Sequence, residues 1–194
     1  MKPALIVMVK EPHPGRVKTR LGRGIGMTAA AWWFRHQTAA LLRRLEDPRW
    51  RLVLAVSPDR EGLQSRVWPG HLPRLPQGGG DLGARMARML KAVGPGPACL
   101  IGADIPGITP THVAAAFAAL GRNDGVFGPA PDGGYWLIGL RHPGRLPPSA
   151  LTGVRWSSEH ALADSIATLP GYRLARVAEL RDVDSADDLP MTRP

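Results

Sequence analysis

The chain has 194 residues, of which 44% are hydrophobic and 21% are charged. This length and composition are typical of one globular domain, here residues 1–194, and exclude a disordered chain. The net charge of +9 would suit a nucleic acid, but the basic residues are scattered, mostly Arg and not interleaved with aromatic residues, so we expect no nucleic-acid partner.

Two apolar runs and one helical pattern organise the first part of the chain. Residues 4–9 are apolar throughout and too few for a helix, a signal peptide or a membrane span, so they predict a buried strand. Residues 11–26 are punctuated by Pro and Gly and predict a long loop. Thr28 is placed to cap a helix that runs to Leu45, and residues 52–56 predict a second buried strand.

The middle of the chain continues this alternation. Residues 69–76 are rich in Pro and predict a short edge strand, and Asp81 is placed to cap a helix over residues 82–93. Residues 98–101 predict a third strand, which holds the single cysteine, Cys99. We expect its thiol to be buried because its neighbours in this strand are apolar. One cysteine cannot form an internal disulfide, which fits a cytoplasmic, reducing location. Thr109, followed by Pro110, is placed to begin the next helix.

The last part of the chain adds strands and helices in the same rhythm. Two apolar runs, 126–127 and 135–140, are joined by a turn-rich connection that predicts a hairpin or a crossing at a sheet edge. Ser158 is placed to cap a helix over residues 159–169, residues 174–177 predict a short strand, and Ser185 begins a helical turn. Alternating strands and helices predict a mostly parallel, mixed sheet covered on both faces, a three-layer α/β/α sandwich. Ligands of such sheets bind beyond the carboxyl ends of the strands.

A basic loop directly follows the first predicted strand. It carries Lys10, Arg16, Lys18 and Arg20 within eleven residues. Guanidinium groups bind phosphate oxygens in pairs and Lys adds a point charge, so the loop would suit a polyphosphate. A solvated basic loop explains the pattern equally well, and the sequence leaves both interpretations open.

Three glycines run into the helix that Asp81 is placed to cap. Glycine lets a backbone approach a ligand closely, and the free N–H groups of a helix start attract anions. Gln77 and Asp81, on either side of the glycines, could bond a base or a ribose. A flexible connector is the alternative, and the helix start favours binding.

Aspartates follow the third and the last predicted strands. Asp104 comes just after residues 98–101, and Asp182 and Asp184 would share one side of an extended segment. Carboxylates at this edge would suit Mg²⁺ or Mn²⁺ held together with a substrate's phosphates. Asp104 alone could equally be a turn residue, whereas Asp187 and Asp188 fit the charges of a helix start.

The connection before the strand at residues 135–140 holds a fourth acidic position. Asp132 precedes two glycines, which is ordinary turn chemistry. The alternative makes Asp132 a general base or an acceptor-binding group, with Tyr135 or Trp136 offering a face on which a sugar could stack.

Taken together, these segments resemble a bacterial glycosyltransferase-like family of the GT-A, nucleotide-diphospho-sugar transferase fold, domain of unknown function 2064, linked in some members to arsenosugar biosynthesis. The matching stretches are Lys10-x-Pro-x-Pro-Gly-x-Val-Lys-Thr-Arg-Leu21, Gln77-x-Gly-x-Asp-Leu-Gly-x-Arg-Met86, Gly102-x-Asp-x-Pro106, Gly128-Pro-Ala-x-Asp-Gly-Gly-Tyr-x-Leu-Ile-Gly-Leu140, Val154-x-Trp-Ser157 and Asp182-Val-Asp-x-x-x-Asp-Leu189. They follow one another over almost the whole chain.

The resemblance implies a role for each of these segments. It implies nucleotide contacts from two loops, with Lys10, Arg16, Lys18 and Arg20 in the first and Gln77, Gly79, Asp81 and Arg85 in the second. It also implies metal ligation by Asp104 with Asp184 or Asp182, and an acceptor site around Asp132, Gly133, Gly134, Tyr135 and Trp136. The chain departs from many glycosyltransferases of this fold in having Asp104-Ile-Pro106 instead of Asp-x-Asp.

The sequence therefore predicts a transferase that moves a glycosyl group from a nucleotide sugar to a small acceptor, with Asp104 and Asp132 as catalytic residues. Nucleotidyl transfer from a nucleoside triphosphate to a phosphorylated acceptor is the alternative, because both reactions need the same cleft. A nucleotide-binding module without catalysis is a third interpretation. The pair Trp32-Trp33 is large for one helix and would suit an oligomer contact.

Overall fold

The computed structural model describes residues 2–189. Its strands are β1 (Ala4–Lys10), β2 (Arg51–Ser57), β3 (Arg74–Pro76), β4 (Ala98–Gly102), β5 (Gly125–Pro129), β6 (Tyr135–Leu140) and β7 (Leu174–Arg176). Its α-helices are α1 (Thr19–Ile25), α2 (Met27–Leu45), α3 (Asp59–Gln64), α4 (Leu82–Ala92), α5 (Pro110–Ala119) and α6 (Ala161–Ala167). Two short 3₁₀ turns span Pro143–Arg145 and Ala186–Asp188.

The strands form one mixed sheet in the order β3-β2-β1-β4-β6-β5-β7. All neighbouring pairs are parallel except those of β6, which runs antiparallel to both β4 and β5. The predicted mostly parallel sheet is thus confirmed. The predicted hairpin is also found, but β6 lies inside the sheet between β4 and β5 and not at an edge.

Side chains of β1 alternate between the two faces of the sheet, as the pleat requires. Leu5, Val7 and Val9 join a buried cluster with residues of α2 and α5. Ala4 and Ile6 join a second cluster with residues of α4. Helices therefore cover both faces, which confirms the three-layer α/β/α arrangement and explains why this strand is apolar throughout.

The starts of two helices are as predicted. The Asp81 side chain accepts a hydrogen bond of 2.8 Å from the Ala84 N–H at the start of α4. Thr109 caps α5, where its hydroxyl accepts a bond from the His112 N–H. These side chains satisfy backbone N–H groups that have no partner within the helix.

Two other predicted caps are wrong. Helix α2 begins at Met27 after Gly26, so Thr28 lies inside the helix. Helix α6 begins at Ala161 after His160, and the Ser158 hydroxyl lies in the preceding turn, where it donates to the Arg155 carbonyl oxygen at 2.6 Å and accepts a bond of 3.3 Å from the His160 N–H. The preceding chain is thereby held in a turn, and the helix starts later than the sequence pattern suggests.

Helix α1 lies within the stretch that was expected to be a loop. Its two glycines, Gly22 and Gly24, disfavour a helix, but Leu21 is fully buried and anchors the helix against the core. A Cβ on Gly22 would lie 2.5 Å from the Met27 Sδ atom, so this glycine permits the close contact between α1 and the start of α2.

The path of the chain creates a crevice at the carboxyl ends of β1 and β4. From β1 the chain builds β2 and β3 on one side, and then crosses to β4 on the other side of β1. Ligands bind at such a point of reversal, where the loops after the two central strands diverge. Cys99 is fully buried on β4, as predicted. Within residues 2–189, every helix is too short or too polar to cross a membrane.

Candidate functional site

A cleft of about 800 Å³ opens at this carboxyl edge of the sheet. The basic loop after β1, Ser57 after β2, Gln77 after β3 and Asp104 after β4 all line it. Because β6 runs antiparallel, the turn between β5 and β6 reaches the same edge, as does the segment that holds Asp182 and Asp184. One cleft thus brings together residues from nearly the full length of the described chain.

Lys18 lies at the centre of the charged groups. Its Nζ atom is 2.7 Å from Asp104 Oδ2 and 3.0 Å from Asp184 Oδ1, and only 7% of its side chain is exposed. Burial opposes its charged form, but the two carboxylates outweigh burial and raise the pKa of Lys18 above its ordinary value. Its backbone is left-handed, with φ at 45°. Lys18 is therefore fixed as a buried cation between two aspartates.

The segment 182–184 has the alternation that an extended chain predicts. Val183 is buried against Leu21 and Ala30, and its N–H donates to the Asp104 carbonyl oxygen at 3.3 Å. Asp182 and Asp184 consequently both line the cleft. Asp188 is engaged elsewhere, because its carboxylate accepts bonds from backbone N–H groups of its own turn.

The carboxylates in the cleft repel one another. Burial, followed by the charges of Asp104 and Asp184, raises the pKa of Asp182 to about 6, and Lys18 opposes this rise. Within residues 2–189 no group of three or more His, Cys, Asp or Glu side chains is arranged to hold a metal ion. The oxygens that would coordinate one are present, but Lys18 lies between two of their carboxylates.

The other basic residues of the first loop line the rim of the cleft. Lys10, Arg16 and Arg20 are all exposed there. Arg20 pairs with Asp184 at 3.0 Å, and Arg16 lies 3.9 Å from Glu61. Such exposed pairs are weak, so the guanidinium groups are available to an anionic ligand.

Gln77 is the buried polar residue of this half of the cleft. Its side-chain N–H₂ donates to the carbonyl oxygens of Val9 at 3.2 Å and Ala55 at 2.8 Å. Because both partners are acceptors, the orientation of the amide is fixed and its Oε1 atom faces away from them. Within the described part of the chain no donor bonds Oε1, so it can accept a bond from a ligand.

The glycine-rich loop is only partly in the cleft. Arg85 lines it, with its Nε atom donating to the Gly80 carbonyl oxygen at 3.0 Å, but Gly79 and Asp81 are not among the lining residues. Arg88, which the sequence did not single out, donates to the carbonyl oxygens of Gln77 and Gly79 and so holds this loop in place. Its spacing of three residues from Arg85 on a helix could have indicated a shared face.

The turn between β5 and β6 presents Asp132 to the cleft. Asp132 Oδ1 accepts a bond of 2.9 Å from the Gly134 N–H, which is the turn chemistry foreseen, while Oδ2 has no partner within residues 2–189. Gly133 itself does not line the cleft. It has φ at 83°, and a Cβ there would lie 2.2 Å from the Glu159 carbonyl oxygen, so glycine is required where these two loops meet.

The two aromatic residues at the start of β6 differ in accessibility. Trp136 is 3% exposed, and its indole N–H donates to the Ala178 carbonyl oxygen at 2.9 Å. Its ring covers Gly128, where a Cβ would lie 2.4 Å from ring atoms. Trp136 borders the cleft, but its ring packs in the core and offers no free stacking face. Tyr135 is half-buried and lines the cleft, with its hydroxyl accepting a bond from Ser165.

Trp156 was missed by residue-level reasoning, although it lies in a segment that carries the family resemblance. It lines the cleft next to Tyr135, at 6.4 Å between ring centroids, and its indole N–H is buried without an acceptor within the described residues. Arg155 holds this wall through paired bonds of 2.8 Å to Asp164. The sequence alone could not reveal this unpartnered donor, because the partners of a buried N–H group depend on how distant segments pack.

A family model described as "Uncharacterized protein conserved in bacteria (DUF2064)" matches residues 40–158, which is more than half of the chain. The chain belongs to this family. The matched residues of this DUF2064 protein contain the glycine-rich loop, Asp104, and the turn with Asp132. Comparison with curated proteins gives no significant match.

Solved structures share the fold of this DUF2064 protein. A proposed nucleotide-diphospho-sugar transferase from Desulfovibrio desulfuricans G20 is 29% identical over 95% of this chain and 84% of its own, with a TM-score of 0.81. The 4-diphosphocytidyl-2C-methyl-D-erythritol synthase from Anaerococcus prevotii DSM 20548 is 9% identical over 96% of this chain and 92% of its own, with a TM-score of 0.63.

A protein from Mycobacterium tuberculosis H37Rv, solved in complex with manganese, is 15% identical to this DUF2064 chain. The match covers 97% of this chain and 96% of that one, with a TM-score of 0.56. At this low identity the likeness concerns the fold alone. Together the three structures confirm a fold of the nucleotide-diphospho-sugar transferase kind.

Proposed function

We propose that the protein is a transferase that uses a nucleotide-activated donor, and that it moves a glycosyl group from a nucleotide sugar to a small acceptor. The observation that carries the proposal is that one cleft pairs a basic rim with the carboxylates of Asp104, Asp132 and Asp184. The similarity to the Desulfovibrio desulfuricans protein supports a nucleotide sugar as the donor.

The half of the cleft beyond β1, β2 and β3 suits the nucleotide. Lys10, Arg16 and Arg85 line it with charges that can bind the oxygens of a diphosphate. Gln77 offers its free Oε1 atom as an acceptor for an N–H of the base or a hydroxyl of the ribose. The basic groups would stabilise the negative charge that develops on the departing diphosphate.

The cation of this proposal is Mg²⁺ or Mn²⁺. Asp104, Asp182 and Asp184 supply the hard oxygen ligands that these ions prefer, and the Lys18 ammonium already acts as a stand-in cation between two of them. Mg²⁺ is usually held by one or two carboxylates together with substrate phosphates, so Asp104 with Asp184 or Asp182 would hold a divalent ion jointly with the donor, whose phosphate charge the ion would offset when bound.

The half of the cleft beyond β4 and β6 suits the acceptor. Asp132 keeps Oδ2 free of protein partners, and Tyr135 and Trp156 form an aromatic wall beside it. A carboxylate in this position can orient an acceptor hydroxyl and remove its proton as the glycosidic bond forms. The aromatic wall offers apolar surface to a sugar or another small acceptor.

Product analysis tests the proposal against its rival. The protein is incubated with Mg²⁺ or Mn²⁺ and a panel of nucleotide sugars, and separately with nucleoside triphosphates and sugar phosphates. Glycosyl transfer releases a nucleoside diphosphate or monophosphate from the nucleotide sugar. Pyrophosphate released from a triphosphate would instead establish nucleotidyl transfer, and nucleotide-dependent thermal stabilisation without any product would establish a binding module.

The variant Asp132→Asn tests the proposed base. Asn keeps an oxygen that can accept the Gly134 N–H bond, so the turn should survive. We expect the turnover number to fall by about 10²–10⁴-fold, the range for loss of general base catalysis, with unchanged nucleotide binding. Asp187→Asn, an exposed aspartate outside the cleft, is the control. Equal activity of both variants would contradict the role of Asp132.

A further inference from the structure

The arrangement of Lys18 has a consequence for cation binding. Its ammonium lies within 3.0 Å of carboxylate oxygens from two separate segments, Asp104 after β4 and Asp184 just before the 3₁₀ turn at Ala186–Asp188. A divalent ion held by these carboxylates would bring two positive charges to the place that the ammonium occupies. The ammonium and the ion therefore exclude each other.

The position of Lys18 is held by its surroundings and not by chance. Its side chain is 93% buried. Its φ of 45° lies in the left-handed region, which residues with a side chain rarely adopt, and the two ion pairs offset the energetic cost of this backbone conformation. Arg20, by contrast, pairs with Asp184 through an exposed side chain, so it can move aside at little cost.

We propose that Lys18 is an internal counter-ion, which neutralises Asp104 and Asp184 in the absence of a divalent cation and is displaced when one binds. This inference rests on the cation of the proposed function. The protein stays stable without metal because a lysine separates the repelling carboxylates, and its metal affinity is reduced by the ion pairs that must first break. A merely phosphate-binding lysine would not compete with the metal.

Binding of Mn²⁺ alone, measured by titration calorimetry or electron paramagnetic resonance in the absence of nucleotide, tests the inference. Lys18→Met removes the ammonium, and Lys18→Gly removes it while relieving the left-handed backbone, which protects against a failure to fold. Both variants should bind Mn²⁺ about 10-fold to 100-fold more tightly than the wild type, the range for breaking charged hydrogen bonds. Both should also unfold at lower temperature without metal.

Arg16→Met is the matched control, because it removes the same charge from the same cleft without touching either aspartate. Its Mn²⁺ affinity should stay within about twofold of the wild type. Lys18 variants that bind Mn²⁺ with equal or lower affinity would overturn the inference. Absence of binding by all proteins would overturn it together with the cation site, whereas glycosyl transfer from a nucleotide sugar, measured both with Mg²⁺ or Mn²⁺ and with a chelator, decides the proposed function separately.

Discussion

Replacing Gly133 with Ala should lower the free energy of unfolding, because the added Cβ would clash with backbone and would force a left-handed conformation on a residue with a side chain. The added Cβ would lie 2.2 Å from the Glu159 carbonyl oxygen and 2.5 Å from two further backbone atoms of Glu159, so backbone must move. Left-handed strain costs about 1–2 kcal/mol and overpacking about 1–3 kcal/mol. The stiffer unfolded chain returns about 0.4–1 kcal/mol. The net loss in the free energy of unfolding is about 1–5 kcal/mol.

Gly153→Ala separates the two causes of that loss. Gly153 has φ at 72°, but a Cβ there meets no atom within 4 Å, so only the backbone strain applies. We expect a loss of about 0–1.5 kcal/mol for this variant. In thermal unfolding followed by circular dichroism, Gly133→Ala should lower Tm by about 2–20 °C, at about 2–4 °C per kcal/mol. Equal shifts of Tm in both variants would refute the contact between residues 133 and 159.

Two further predictions concern the charged and the polar half of the cleft. The pKa of Asp182 is raised from 3.8 in the unfolded chain to about 6 in the folded protein, so the folded protein binds this proton more tightly. The resulting contribution to the free energy of unfolding is complete below pH 3.8 and is lost as the pH rises through about 6. Asp182→Asn should therefore gain about 1–2 kcal/mol over the wild type at pH 7, reduced from the full shift by solvent screening, and nothing at pH 4. Urea unfolding with a chelator across this range checks it, and a pH-independent difference would exclude the mechanism. Gln77→Met removes the donors to the carbonyl oxygens of Val9 and Ala55, so it should lower the free energy of unfolding by about 1–3 kcal/mol. Nucleotide binding measured by calorimetry should also weaken. An unchanged urea midpoint would count against these bonds.

The sheet and its covered faces could be predicted from the sequence because they depend on local patterns. Apolar runs such as residues 98–101 are too short for helices and too uniform for half-exposed strands, so burial on both sides was the consistent interpretation. The alternation of Asp182, Val183 and Asp184 likewise placed both aspartates on one side before the partner of Val183 was known.

Other features depend on contacts between distant segments and left no local signal. The two glycines of α1 predicted a loop, and only the packing of Leu21 and the contact of Gly22 with Met27 explain the helix. Trp136 was one of two candidates for a stacking face, but the absence of a side chain on Gly128 lets its ring pack down against the neighbouring strand. In each case tertiary packing overrides the preference of the isolated segment.

The same applies to the centre of the site. Lys18 was grouped with phosphate-binding residues because its neighbours are basic, and no local pattern indicated that residues 86 and 166 positions away would surround it. Ion pairs between remote segments follow from the crossing of the chain between β1 and β4, and pattern spacing cannot report them. The acidic members were foreseen, whereas the cation between them was not.

The separation of Lys18 from Asp184 also affects how the protein matures during synthesis. Ribosomes add about 5–20 residues per second, so roughly 8–33 s pass between the synthesis of these two positions. Until Asp184 has been made, Lys18 lacks one of its two carboxylate partners and the cleft lacks one side. A nascent chain with a nearly finished sheet therefore still lacks the completed charge cluster, and a chain cut short before residue 182 would leave Lys18 paired with Asp104 alone.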